Sequence, residues 1–380
     1  MIDVRVRILF LVSTLRQTGP TTQLLNIVRH LNRERFDPVV VTLSSEPGTS
    51  MLNVFEELGA RVVSLRISRT RSLFRRQWRE EIERLVGADL RRGCVIHSQG
   101  IRADVIASRH LDGLVRMATA RNYPYDDYVM KYGPVLGRWM ARTHLQAFHA
   151  LPLVVACSST VASRLRSHGI ETTVVRNGVD TQTFSSALPE KQAELRAEMK
   201  LARNARVGVC VGSLIARKDP LSVVRAIRAL HVPDLVVVFV GGGSLEAQSR
   251  REAHGDERIR FTGHVENVVS YLQAADFFIS ASRSEGMPNA ALEALACGLP
   301  VVLSDIEPHR ELLETAPSAG ELFALDDIPA LAAAIQQAAA LTTSARGLLP
   351  AQAAEIIGAE RVSRRYQEIY LRLNREASRA

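Results

Sequence analysis

At 380 residues, 46% hydrophobic and 23% charged, the chain has a globular composition and is too long for one ordinary core, so two domains are expected. Its four cysteines (Cys94, Cys157, Cys210, Cys297) sit in or beside apolar runs without Cys-x-x-Cys spacing, which argues for buried thiols in a reducing compartment and against a disulfide or zinc framework. No run approaches the ~18 apolar residues of a membrane span, and "ILFLV" is too short and lacks the cleavage site of a signal peptide; the expectation is a soluble, cytosolic protein.

Charge is distributed unevenly. Through Arg166 there are 25 Lys and Arg against 14 Asp and Glu, and the remainder holds 23 against 26, within a net charge of +8. A basic first half attracts anionic lipid headgroups, phosphorylated substrates or nucleic acid.

Apolar strand-like runs alternate with amphipathic stretches along the chain. Strands are expected at Val6–Ser13, Pro38–Leu43, Arg61–Leu65, Cys94–Ser98, Val115–Thr119, Leu153–Ala156 and before Asn177, with helical patterns such as "TTQLLNIVRHL" and "LFRRQWREEIERLV" between them. In the latter, Phe74, Trp78, Ile82 and Leu85 recur at helical spacing as a core face, leaving Arg71, Arg75, Arg76 and Arg79 outward. The rhythm repeats at Val207–Val211, Leu235–Val240, Ile259–Thr262, Asp276–Ala281 and Pro300–Leu303. Continuous apolar strands separated by helices predict an α/β protein with two doubly wound parallel sheets, 1–176 and 177–357. A last amphipathic helix, about 358–380, has no strand after it. Ligands on such sheets bind outside the carboxyl ends of the strands, so two facing lobes would share an interlobe cleft.

The stretch "SRSEGMPNAALEALACGLPVV" (282–302) carries two glutamates, Glu285 in a turn after a strand and Glu293 within an alanine-rich helix pattern. A carboxylate in apolar surroundings is costly without a partner. Pro288 suits the first turn of this helix, so the backbone N–H groups near Asn289 would offer an anion site. The two carboxylates suit sugar hydroxyls; as alternatives, Glu285 is a solvated loop acid and Glu293 a core-edge acid.

In combination with "TGPTTQLLNIVRHL", "NGVD", "VGSLIARKDP" and "FTGHVENV", taken in this order, the stretch resembles the Glu-x7-Glu signature of retaining, nucleotide-sugar-dependent glycosyltransferases of family four, whose two Rossmann-like lobes form the GT-B fold. The resemblance extends over nearly the whole chain. It implies that the second lobe binds a UDP- or GDP-sugar through Gly212 and Ser213, the turn Gly263, His264 and Val265, and Gly286, Met287, Pro288 and Asn289. By the same resemblance Lys218 contacts the donor diphosphate, Glu285 the transferred sugar and Glu293 the ribose hydroxyls. Many members have an arginine where this chain has Ser213, and Arg217 is the candidate replacement. The first lobe would bind a carbohydrate or lipid-linked acceptor, with Gly19 opening a helix that begins at Thr21. Relatives often carry histidine where this chain has Arg121, which suggests an anionic acceptor unless Arg121 pairs with Asp126 or Asp127. His97, at a strand end, is a further acceptor-side candidate. The C-terminal helix would cross back to the first lobe.

The absence of Asp-x-Asp and His-x-x-x-His gives no reason to expect a metal, and no cofactor is expected beyond the donor itself. The basic lobe suggests reversible docking on an anionic membrane face. Three other readings stay open: a glycoside hydrolase using the two glutamates, a nucleotide-sugar epimerase on the same fold, and a nucleic-acid or dinucleotide-binding protein prompted by "VGGGSLE". For the last, Glu246 stands where Gly-x-Gly-x-x-Gly needs its final glycine, and the basic residues lack interleaved aromatics; no nucleic-acid partner is expected.

Overall fold

Each apolar run expected to be a strand is one, and every strand-to-strand ladder is parallel. The computed structural model describes residues 5–67, 78–87, 90, 93–232, 234–341 and 357–378. The chain divides into two compact units, Met1–Gly178 with Ala359–Ala380, and Val179–Gly358.

Unit 1 contains strands β1 (Val6–Val12), β2 (Phe36–Thr42), β3 (Arg61–Ser64), β4 (Cys94–Gln99), β5 (Arg116–Ala120), β6 (Val154–Ala156) and β7 (Thr172–Val174). Its helices are α1 (Gly19–Arg29), α2 (Leu52–Glu57), α3 (Trp78–Val86), α4 (Ile101–His110), α5 (Pro124–Tyr132), α6 (Pro134–His149) and α7 (Ser159–Arg166). The sheet order is β3-β2-β1-β4-β5-β6-β7. Side chains alternate across a strand, and here both faces are covered. Ile8 and Phe10 pack on one side with Leu24 and Val28 of α1, while Leu9 and Leu11 pack on the other with Trp78 and Ile82 of α3. Val86, rather than the expected Leu85, completes the buried face of α3. Arg79 is half-buried and pairs with Glu83 at 3.1 Å; Arg71, Phe74, Arg75 and Arg76 lie outside the described residues.

The C-terminal helix rejoins this unit after unit 2 has been completed. It buries Tyr366 and Tyr370 in the same cluster as Phe10 and Phe36, and Ser363 Oγ donates to the carbonyl of Ile27 (2.8 Å).

Unit 2 contains α8 (Pro189–Glu198), β8 (Arg206–Val211), α9 (Pro220–Ala229), β9 (Leu235–Val240), α10 (Glu246–Glu252), β10 (Ile259–Gly263), α11 (Val268–Ala274), β11 (Phe277–Ser280), α12 (Asn289–Ala296), β12 (Val301–Ser304), α13 (Glu307–Thr315), β13 (Gly320–Phe323) and α14 (Ile328–Ala340). Its order is β10-β9-β8-β11-β12-β13. The final helix of unit 1 is α15 (Ala359–Ala377). In each sheet the strand order reverses between its first strand and the fourth: β1 beside β4, and β8 beside β11. Such a reversal splays the loops at the strands' carboxyl ends and opens a crevice there.

Candidate active site

Unit 2 brings three of the expected side chains into direct contact at its switch point. The loop after β8 enters a short turn, Ala216–Lys218, and Asp219 then caps α9, its side chain accepting from Ser222 N. The loop after β11 carries Glu285. Lys218 Nζ donates to Glu285 Oε1, and Arg217 Nη1 lies 3.1 Å from Glu285 Oε2 and 2.9 Å from the carbonyl oxygen of Ser284. The backbone N–H of Arg283 donates to the Arg217 carbonyl (2.8 Å), and the Arg283 side chain bonds Asp219 and Asp326, so the two loops are sewn together.

Burial alone would raise the Glu285 carboxyl, but the adjacent Lys218 and Arg217 charges outweigh it and hold the group at about 2. Glu293, in the second turn of α12, meets less compensation. Burial pushes its carboxyl up to about 7, and the Lys218 charge only partly offsets this.

Beneath Glu285 lies a set of hydroxyls and an imidazole with no obvious sequence signal. Ser282 Oγ donates to Glu285 Oε1 (2.8 Å), and Ser304 Oγ donates to the carbonyl of Ser282 (2.5 Å). His309 Nδ1 lies 2.8 Å from the Ser304 carbonyl. Burial lowers the His309 imidazole to about 4, and its Nε2 has no partner among the described residues. Serines and a histidine on a Pro-containing helix start read as loop and cap residues; only the folded proximity of β11, β12 and α13 gives them another role.

The glycines of "VGGGSLE" have a packing role. A Cβ on Gly241 would fall 2.2 Å from the Gly212 carbonyl oxygen, and one on Gly243 would fall 2.4 Å from that of Leu214. The loops after β8 and β9 therefore touch backbone to backbone, with Leu214 N–H donating to the Gly242 carbonyl (3.0 Å). Gly241 N–H in turn donates to the carbonyl of Gly263 (2.9 Å), which places the turn of Gly263, exposed His264 and half-buried Val265 beside them. Ser213 is exposed, Gly286, Met287 and Pro288 are buried, and Asn289 starts α12.

The remaining expected residues lie in unit 1. Gly19 is itself the first residue of α1, after the cap position Thr18, two residues before the expected start at Thr21. Arg121, after β5, donates to Asn177 Oδ1 (2.7 Å) and Gln99 Oε1 (3.4 Å); Asp126 is engaged by Arg164. A cavity of about 340 Å³ is lined by Thr18, Thr21, Gln99, Arg121, Asp127 and Lys131, among others. Arg121 Nη2 and Gln99 Nε2 have no partner among the described residues. His97 is not at this mouth. It is fully buried under α15, Nδ1 2.8 Å from the Tyr370 hydroxyl and Nε2 2.7 Å from Thr119 Oγ1, and burial lowers it to about 3. The strand end belongs instead to Gln99, and the placement of His97 is that of a neutral core histidine.

Two family models match this chain in succession: "Glycosyltransferase Family 4" over residues 18–183 and "Glycosyl transferases group 1" over residues 205–340. The chain is 33% identical over 164 residues to an Escherichia coli UDP-Gal:alpha-D-GlcNAc-diphosphoundecaprenol alpha-1,3-galactosyltransferase, covering 41% of this chain and 42% of that one. It therefore spans less than half the length of that relative. It is 24% identical over 323 residues to the O-antigen biosynthesis glycosyltransferase WclY of Escherichia coli, covering 81% of this chain and 83% of the other. In fold it is similar to Anabaena HepE in complex with UDP, with a TM-score of 0.78 at 17% identity over 96% of this chain and 99% of that one. Sucrose-phosphate synthase of Thermosynechococcus elongatus gives 0.79 at 18% identity over 97% and 99%. With both units built on Rossmann-like parallel sheets, the chain belongs to the group 1 and family 4 glycosyltransferases of the GT-B fold.

Proposed function

We propose that the protein transfers a sugar from a UDP- or GDP-sugar to a carbohydrate or lipid-linked acceptor in glycan biosynthesis, with retention of anomeric configuration and without a metal ion. The observation that carries this reading is the convergence of Lys218 and Arg217 on Glu285 at the switch point of unit 2. Two cations against one ionised carboxylate leave a net positive charge in a partly buried site, which favours an incoming diphosphate.

In this reaction the bond from the anomeric carbon to the diphosphate breaks and a bond to the acceptor hydroxyl oxygen forms. The hydroxyl proton passes to the departing phosphate oxygen on the same face. Lys218 and Arg217 stabilise the charge that grows on that oxygen, and Arg217 supplies the cation that Ser213 lacks. Glu285 receives hydroxyls of the transferred sugar. Glu293 receives the ribose hydroxyls, Gly212 admits the diphosphate to the backbone, and the Gly263–Val265 turn meets the base. In unit 1, the unpartnered donors of Arg121 and Gln99 suit an acceptor bearing a phosphate or carboxylate.

The two carboxyl groups titrate far apart, as an acid and its ionised partner do in glycoside hydrolysis. That observation favours the hydrolase as the second reading. A thermal-shift panel of UDP, GDP, ADP and their sugar conjugates, with and without EDTA, separates the two, because a ligand of the native state alone raises its stability. Stabilisation by one nucleotide family, unchanged by EDTA, is expected. No shift with any nucleotide, together with glycoside hydrolysis in its absence, would overturn the proposal.

A further inference from the structure

Helices α5 and α6 form a hairpin turned by Gly133, which adopts φ +79°. Gly137 holds it closed: a Cβ there would fall 2.5 Å from both the Tyr128 carbonyl oxygen and Val129 Cα, so the helices meet backbone to backbone. The inward side of α6 buries Ala141, His144, Leu145 and Phe148. A second apolar surface remains on the outside. Met130 (42% exposed), Tyr132 (40%), Val135 (83%), Leu136 (49%) and Trp139 (59%) are five of the nine exposed large hydrophobic residues among those described, all within ten positions.

The charge flanking the exposed apolar residues is basic, the hairpin's acids Asp126 and Asp127 lying in the first turn of α5. Lys131, Arg138 and Arg142 are exposed, and no Asp or Glu occurs from Tyr128 through His149. Apolar and aromatic side chains with flanking cations fit a phospholipid interface, where rings sit at headgroup depth and Lys and Arg reach the phosphates. No helix among the described residues is long and apolar enough to cross a membrane, so the hairpin would lie in the interface plane.

We propose that the α5–α6 hairpin is a membrane-docking surface that takes a bilayer rich in anionic phospholipid. The same α5 helix lines the unit 1 cavity through Asp127, Tyr128 and Lys131. If the reading of that cavity as an acceptor site holds, a lipid-linked acceptor reaches it from the membrane on which the hairpin rests; docking itself does not depend on that reading.

The molecule carries its own reporter. It has two tryptophans, Trp78 fully buried and Trp139 exposed in the patch. With vesicles of mixed phosphatidylglycerol and phosphatidylcholine, Trp139 emission should shift to the blue and be quenched by brominated acyl chains, and the protein should float with the vesicles. Pure phosphatidylcholine and high salt should weaken the association. Leu136→Glu, and Arg138→Glu with Arg142→Glu, should each reduce vesicle affinity at least about tenfold. All three positions are solvent-exposed, and the melting temperature and any nucleotide-sugar shift should stay at the wild-type values. Failure of wild type to float with the anionic vesicles, or variants that float equally well, would overturn the proposal. A dimer in sedimentation velocity that Leu136→Glu dissociates would also overturn it, in favour of a second copy of the chain. A missing nucleotide shift with intact vesicle binding would instead count against glycosyl transfer.

Discussion

The Lys218 charge acts on two carboxylates whose titrations are shifted in opposite directions. Glu285 is held ionised by its contact with Lys218 and Arg217, and burial lifts the Glu293 carboxyl to about 7. Lys218→Ala should lower kcat about a hundred- to a thousandfold, the range for losing one preorganised charge-stabilising donor, while circular dichroism stays native. A well-folded variant with near-normal turnover would remove Lys218 from the chemistry. Because the folded Glu293 carboxyl titrates at about 7, above its ordinary value of 4.5, the native state prefers the protonated form. Its contribution to stability is complete below about 4.5 and is lost as pH rises through 7. Glu293→Gln, neutral throughout, should flatten the fall in thermal stability between about pH 5 and pH 8. The same variant should remove any rise in nucleotide-sugar affinity across pH 7, since ribose hydroxyls bond best to an ionised carboxylate. Glu285 works with the opposite sign. Its depressed carboxyl contributes stability above 4.5 that disappears as pH falls toward 2.

Among the structural elements, the paired loops after β8 and β9 set the shape of the site. Gly241→Ala would press a methyl group into the Gly212 carbonyl and strain a backbone at φ +132°, costing about 3 kcal/mol. Gly242→Ala meets only the end of the Glu246 side chain at 3.2 Å and should be nearly neutral. Thermal unfolding of the two variants side by side checks this contrast. These glycines also show what could be read from the sequence. Their run was visible, and so was its mismatch to a dinucleotide fingerprint, but a close approach between two backbones lies between elements and has no local pattern. Strands with continuous apolar runs were legible because both faces are buried. β13 was not, since "GELF" exposes Glu321 and Leu322 and offers no such run. The α5–α6 hairpin is equally hard to read from sequence, because outward Val135, Leu136 and Trp139 blur the amphipathic pattern of a surface helix. Glu285 stands out as a carboxylate in a turn after a strand, but Lys218 is nameable only through family resemblance, and their contact, spanning 67 positions, has no local pattern.

On the scale of the molecule, unit 1 is built from two distant pieces of sequence joined through His97. Its ring bridges β5 and the C-terminal helix through Thr119 and Tyr370, and Thr119 also meets the Tyr366 hydroxyl at 3.1 Å. Tyr370→Phe leaves His97 Nδ1 buried without a partner and should cost about 1–3 kcal/mol. Tyr366→Phe removes a contact to Thr119 while His97 keeps both of its own, so it should cost less. Denaturant titration of the two variants orders them.

That discontinuous construction also bears on synthesis. A ribosome delivers the seven strands of unit 1 first, yet the cluster around Phe10 and Phe36 lacks Tyr366 and Tyr370 until residues 359–377 have been made. Unit 2, contiguous in sequence, can close while its predecessor still waits with the part of one sheet face that Tyr366 and Tyr370 cover left open. The core of unit 1 is thus completed only after unit 2 has been made, although its strands come first. A released chain truncated after residue 358 should leave unit 1 open to protease while unit 2 resists, and the full-length chain should protect both.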